Sequence, residues 1–375
     1  MQSRLIVGAC LAALVLAAPA VQARELVYSS SVGAKHPVHT HGLEPFFKRI
    51  EEATKGSLTF KLYPGGTLSS GKTTLNAIRN GTVDMGLLAD IYTPNELPVS
   101  ALLSDLAVYG KDARVMTGAV NQTLLLDCPD CKTDYTEEKV IPVASYALTP
   151  YYLLCGDAKI VSAADWQGKK LRGTGAMGVL AAGMGATPVN VTSAETYEAL
   201  QRGQVDCVMG PQPWLKSYSL WDLVKTVSNS KLGTYHGTNF INFRADTWKK
   251  LSKAEKQAVA DNVVQAVVDI ARAYEDDDAN IRKESEEKRI AWIDVDQSFE
   301  DGVAALRDKD AARVIELAKS RGVKNPEPIV EQFQKNIAKW TEIVNTIGTG
   351  HWGDAEWAKY GEALKAEVFS KADYK

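Results

Sequence analysis

Three groups of side chains in this sequence have the types and spacing to do chemistry. The first is Arg172, which ends a predicted strand directly before Gly173-Thr174-Gly175. Open α/β sheets present groups to a cleft from such a place. A planar guanidinium there can hold a carboxylate through two parallel, charge-assisted hydrogen bonds. On its residues alone, the simpler reading is an arginine paired with a neighbouring aspartate at the surface. The second group is Cys128-Pro129-Asp130-Cys131, a spacing that could serve thiol–disulfide exchange. That chemistry needs a cysteine at a helix N-terminus after a strand, where the thiol pKa is lowered. Here Asp127, Asp130 and Asp134 would raise it, so a structural disulfide clip that holds a loop is the favoured reading. The third is His36, His39 and His41, which invites a metal. Proline at 37 and the want of a companion carboxylate or cysteine argue against one. No metal or other cofactor is expected.

These residues need a frame, and the sequence supplies one by repetition. The segment from Leu75 through Asn80-Gly81-Thr82-Val83-Asp84 reappears from Tyr197 through Arg202-Gly203-Gln204-Val205-Asp206. Both read as the end of an amphipathic helix, a glycine stop, then a short apolar strand opening with Val-Asp. Each follows a strand and a glycine-containing turn: Ser57 to Tyr63 before Pro64-Gly65-Gly66, and Lys169 to Arg172 before Gly173-Thr174-Gly175. Strand, helix, strand in that order implies parallel pairing, and two such units about 120 residues apart imply two similar lobes.

Around them, Glu25 to Ser30 reads as an opening strand, and Pro45 to Thr54 as a helix with Phe46, Phe47 and Ile50 on one face. Ile141 to Leu148 and Tyr151 to Cys155 read as strands leading into the second lobe, and Asn239 to Phe243 as a strand returning to the first. Ser252-Lys253-Ala254-Glu255 is a capping box that opens a helix reaching about Arg289. Its first half carries an apolar stripe, and its charged second half, Glu275 to Lys288, is expected to be solvated. Helices over Ala304 to Ser320 and Pro328 to Thr346 follow, then a tail with Trp352 and Trp357. Cys155 and Cys207 can pair only if their strands lie side by side.

The first 23 residues read as a signal peptide: Arg4, an apolar stretch from Leu5 to Ala18, and a small-x-small site at Val21-Gln22-Ala23. The mature chain is expected to start near Arg24, exported to the periplasm and unanchored. A net charge of −3 offers nothing basic enough for nucleic acid. The expected class is α/β, a two-lobed clamshell. Residues 24–148 and 239–275 form lobe I; residues 149–238 and 276–375 form lobe II with a C-terminal helical extension.

Several segments, in order, resemble the periplasmic solute-binding proteins of tripartite ATP-independent (TRAP) transporters. They are His36-Pro37, the run from Leu62 through Pro64-Gly65-Gly66 to Leu68, Gly81 to Asp84, Trp166 through Lys170-Leu171 to Arg172, Gly185 to Pro188 through Val205-Asp206, and Trp248 to Ser252. The resemblance spans roughly Val27 to Ile290. It implies two α/β lobes joined by crossing strands and one long helix, with ligand bound between them. It also implies delivery of that ligand to membrane permease subunits driven by an ion gradient; the chain itself is expected to be a monomer.

In proteins similar to this one, the arginine of the Lys-Leu-Arg segment clamps a carboxylate, and Arg172 takes that role by resemblance. Two departures argue against dicarboxylates: Tyr152 stands where many members carry a second arginine, and Gly210 where many carry asparagine. The expected ligand is a monocarboxylate with an apolar, aromatic or hydroxylated body, walled by Tyr92, Tyr151, Tyr152, Trp214 and Phe240. Asp90, His236 and Asn239 are further expected polar contacts, and His36 shapes the cleft mouth. The alternatives are an exported thiol-redox enzyme, a metal-dependent enzyme, or a ligand receptor for a sensor kinase. No Gly-x-Ser-x-Gly elbow, phosphate loop or His-Glu-x-x-His motif supports catalysis, so a binding protein is the expectation.

Overall fold

The computed structural model describes residues 23–374. The segment assigned to a signal peptide therefore lies, except for Ala23, outside the described residues. The first lobe begins with β1 (Arg24–Ser29), α1 (Glu44–Ala53), β2 (Leu58–Tyr63), α2 (Thr74–Arg79), β3 (Met85–Gly86) and β4 (Leu88–Ala89). It continues through α3 (Pro98–Asp105), α4 (Ala113–Gln122), α5 (Pro129–Glu137) and β5 (Val140–Tyr146). The chain then crosses to β6 (Tyr151–Cys155), β7 (Lys170–Arg172), α6 (Ala176–Gly183), β8 (Thr187–Val189), α7 (Thr196–Gln201), β9 (Cys207–Pro211), α8 (Trp214–Ser217) and β10 (Thr226–Ser228). It returns in β11 (Thr238–Arg244), followed by α9 (Ala245–Lys250), α10 (Lys253–Glu287) and β12 (Ala291–Ile293). Helices α11 (Gln297–Asp308), α12 (Asp310–Ser320), α13 (Pro326–Ile347) and α14 (Asp354–Leu364) complete it.

Two mixed sheets result. The first runs β2-β1-β3-β11-β4, with β5 also paired to β11; the second runs β12-β10-β6-β9-β7-β8. β1 pairs in parallel with β2 and β3, and β7 in parallel with β8 and β9. The clamshell and its parallel units are thus as the repeated segment implied.

The repeat has a physical reason. In the first copy, the Asp84 carboxylate accepts the Val27 amide at 3.0 Å while the Asp84 amide donates to the Val27 carbonyl at 2.9 Å. In the second, Asp206 does the same to Lys170, at 2.7 Å in both directions. Each aspartate fastens the end of a strand to its parallel neighbour through a charge-assisted bond. Gly81 and Gly203, at φ 77° and 64°, end the preceding helices in the left-handed region.

The crossings are tied together. Leu148 N–H donates to the Tyr235 carbonyl and Tyr151 N–H to the Gly233 carbonyl, both at 2.8 Å. α10 spans both lobes as a third connection, opened by the Ser252–Glu255 capping box. Its charged half is not wholly solvated, contrary to expectation. Ile281 and Ser285 are buried there, and Asp278 accepts from Thr149 at a crossing and from Gln212 of the second lobe, at 3.2 and 3.5 Å. Burial, reinforced by neighbouring negative charge, pushes both Glu275 and Asp278 up to about 7.

The assignment of the C-terminal extension to the second lobe needs correction. α12 packs on α3, α13 on α4, and α14 on α10. A Cβ at Gly118 of α4 would stand 2.1 Å from the Trp340 ring, and the Trp340 indole donates to Gln122 at 3.0 Å. Arg321 and Asp105 form a largely buried ion pair at 2.6 Å. Most of the extension is therefore a buttress for the first lobe, with α11 alone resting on α6 of the second.

Both cysteine pairs are bonded. Cys155 and Cys207 face each other across the antiparallel β6–β9 pair, with Cα atoms 4.0 Å apart. Cys128 and Cys131 close a clip across the first turn of α5, with Cys128 as its N-cap. That helix start was not expected. The pair is nonetheless buried and follows a helical segment rather than a strand.

Asp84→Ala and Asp206→Ala should each cost about 1.5–3 kcal/mol in urea denaturation, because an amide loses its carboxylate acceptor. Asp84→Ala should cost more, since Asp84 also accepts from Thr247 at 2.8 Å. A carboxyl whose folded pKa is raised holds its proton where the unfolded chain has released it. Stability from Asp278 therefore declines as pH rises from its unfolded value of 3.8 to its folded value of about 7. Asp278→Asn should flatten part of that decline, read as denaturation midpoints between pH 4.5 and 7.5; an unchanged slope would contradict it.

Candidate functional site

Arg172 sits at the C-terminal end of β7, and its side chain is 1% exposed. Its Nε donates to the Val191 carbonyl at 3.1 Å, one terminal nitrogen reaches the Met209 carbonyl at 3.5 Å, and the other reaches the Tyr92 hydroxyl at 3.3 Å. Its guanidinium carbon lies 5.2 Å from the centroid of the Trp214 ring. Every one of these partners is neutral, and no ion pair forms to it among the described residues. A buried guanidinium has five donors, and its charge is costly without a counter-ion. The fold thus holds a cation without a contacting anion; the Glu195 carboxylate, bonded to Thr192, feels its charge only through space.

The cavity beside it lies between the lobes. Its space between atoms is about 440 Å³, including the part open to solvent. Arg172 is the sole arginine or lysine among its described lining residues, which include no aspartate or glutamate. His36 adds no charge: burial, with the nearby His39, pushes it down to about 3. Its Nδ1 accepts from the Val38 amide at 3.2 Å, so the neutral ring carries its proton on Nε2, facing the Tyr274 hydroxyl at 3.0 Å.

The two lobes meet on this cavity. Tyr92, just after β4 in the first lobe, accepts from Arg172 and from the Ser193 amide at 2.9 Å, both in the second. With both donors fixed, the Tyr92 proton is free to be donated. Tyr218 packs its ring edge-on to His36 at 5.7 Å and donates to Ser193 at 3.2 Å. Burial pushes the Tyr151 and Tyr218 phenols up, so both stay protonated.

Of the residues expected at the site, Arg172, Tyr92, Tyr151, Trp214 and His36 line the cavity. The other six do not, and each has a physical reason. Tyr152 follows Tyr151 on β6, and strand alternation turns it to the opposite face, where it packs edge-on to Trp292; burial pushes its phenol up to about 12. Gly210 lies behind Trp214, and a Cβ there would come 2.4 Å from the indole ring. Its lack of a side chain seats the tryptophan. Asp90 accepts from Tyr135 at 2.6 Å and Asn239 at 3.3 Å within the first lobe, and burial pushes it up to about 7. Asn239 belongs to that cluster. His236 is locked between the Thr234 and Leu103 carbonyls against Phe333. Phe240 is a core ring packed on Tyr146.

Tyr146, Tyr218, Tyr235 and Ser193 line the cavity and were not anticipated. Tyr218 was discoverable, since it stands four residues after Trp214, the spacing that puts two side chains on one helix face. Ser193 carried no such signal. The three histidines do not converge: His39 bonds Ser30 at 2.8 Å, His36 faces Tyr274, and His41 is exposed. No group of three or more potential metal ligands occurs among the described residues.

Known proteins share this fold. A solute-binding protein of Albidiferax ferrireducens is 27% identical over 194 residues, which span 51% of this chain and 55% of that relative. A TRAP periplasmic solute-binding protein of Bordetella bronchiseptica, solved with bound (R)- and (S)-mandelate, is 26% identical with a TM-score of 0.73. The match covers 84% of this chain and 99% of that one. A marine-metagenome TRAP solute-binding protein, described as specific for aromatic acid ligands and solved with metahydroxyphenylacetate, shares the fold at 20% identity and a TM-score of 0.76, over 84% of this chain and 99% of its own. Residues 28–304 match the family DctP, bacterial extracellular solute-binding protein, family 7. With a two-lobed fold, a cavity between the lobes and this match over most of its length, the chain belongs to the TRAP family 7 solute-binding proteins, which are binding proteins rather than enzymes.

Proposed function

We propose that this protein is a periplasmic receptor that captures one small organic monocarboxylate between its lobes and hands it to an ion-gradient-driven TRAP permease. The observation that carries the ligand class is Arg172, a buried cation whose partners are all neutral. A carboxylate completes it, accepting the unspent guanidinium N–H groups and the free Tyr92 proton. A second carboxylate would find no second cation among the described lining residues, which favours monocarboxylates. The rings of Trp214, Tyr151 and Tyr218 favour an apolar or aromatic body. The mandelate bound by the relative from Bordetella bronchiseptica fits that description. Export through a cleaved N-terminal segment belongs to the same reading and rests on the signal-peptide pattern of the first 23 residues. Docking to permease subunits rests on family membership, and action as a monomer is part of the same proposal.

Calorimetric titration of the mature chain with a panel of aromatic and aliphatic acids tests it. One ligand per chain is expected, and Arg172→Ala should weaken binding about a hundredfold or more. Arg172→Lys should fall between, since an ammonium keeps the charge without the planar fork. Unchanged affinity in Arg172→Ala, or binding confined to sugars or amines, would overturn the assignment.

A further inference from the structure

We propose that the indole N–H of Trp214 reads an oxygen on the carbon next to the ligand carboxylate, so that the site selects 2-hydroxy and 2-oxo monocarboxylates. The inference rests on the carboxylate reading of Arg172. Trp214 is 3% exposed and lines the cavity, yet its Nε1 has no hydrogen-bond partner among the described residues. A buried donor left unpaired is costly, and this one belongs to a ring that is fixed on several sides. Gly210 meets the Cε3 and Cζ3 edge, where a Cβ would stand 2.4 and 2.9 Å away. Tyr151 and Tyr218 pack with ring centroids 5.7 and 5.2 Å from it. In an indole, Nε1 lies on the edge opposite Cε3, so the N–H is turned away from β9.

The position of that donor sets what it can read. The Arg172 guanidinium carbon is 5.2 Å from the Trp214 ring centroid, so a carboxylate on Arg172 brings its neighbouring carbon beside the indole. The carboxylate oxygens already have donors, the unspent N–H groups of Arg172 and the Tyr92 proton. The indole N–H is then left for an acceptor one carbon further along, which a hydroxyl or oxo oxygen supplies. An ammonium at that carbon has no acceptor in the indole and meets no carboxylate among the described lining residues, so 2-amino acids are rejected by the same arrangement.

Four acids that share one ring test this in calorimetry on the mature chain: phenylacetate, mandelate of each hand, phenylglyoxylate and phenylglycine. Phenylglyoxylate and at least one mandelate should bind about tenfold tighter than phenylacetate or better, with phenylglycine weakest. In Trp214→Phe that preference should shrink to about twofold or less, while phenylacetate affinity falls far less than that of the oxygenated acids. Replacing Trp214 by the benzothienyl isostere, which keeps the ring size and lacks the N–H, should do the same. Equal binding of phenylacetate and the oxygenated acids by the unaltered protein would overturn the inference, as would equal weakening of all of them in either variant. If no acid binds, or binding ignores Arg172→Ala, the carboxylate reading itself fails and this one with it. Phenylacetate binding as tight as that of the oxygenated acids, and dependent on Arg172, removes only the role of Trp214.

Discussion

A guanidinium at 1% exposure with only neutral partners constrains everything around it. Taking that charge out of water is unfavourable, and the carbonyls of Val191 and Met209 with the Tyr92 hydroxyl compensate it in part. The fold tolerates the deficit because the arginine is anchored at a strand end and stacked near an indole, so it cannot swing out to solvent. On the proposed function, such a site is preorganised for an anion and loses little entropy when one arrives. Tyr92 couples the deficit to lobe closure, because its hydroxyl belongs to the first lobe and its two donors to the second.

Holding two lobes in register around so small a cavity requires stiff lobes and defined crossings. The paired aspartates Asp84 and Asp206 fasten equivalent strand ends in the two sheets, and the Cys155–Cys207 bond closes the β6–β9 pair behind the site. The helices after α11 thicken the first lobe, through Trp340 against Gly118 and Arg321 on Asp105. The long helix α10 carries half-buried Glu275 and Asp278 where the chain crosses between lobes.

The repeated helix–Gly–Val-Asp segment made the two lobes legible, because the same hydrogen-bonding need recurs at Asp84 and Asp206. Arg172 was legible through its place before a glycine turn together with the family resemblance. What was not legible was direction. Tyr151 and Tyr152 are equally aromatic, and only the pleat of β6 decides which faces the cavity; alternation along the strand says that one of the two turns away, but not which. Asp90 and Asn239 look like ligand contacts by type, yet Tyr135, far away in sequence, draws them into a buried cluster. Gly210 mattered for the ring it admits. The helical extension carried no motif, and its partners on α3 and α4 lie some 200 residues earlier, beyond the reach of local pattern.

The central claim is that this cavity recognises negative charge through Arg172. The most direct test compares mandelate with mandelamide by calorimetry on the mature protein, since the two share ring and hydroxyl and differ in the charge of one group. The account predicts that mandelate binds and that mandelamide binds about a hundredfold weaker or not at all. Equal affinity for the two would contradict it.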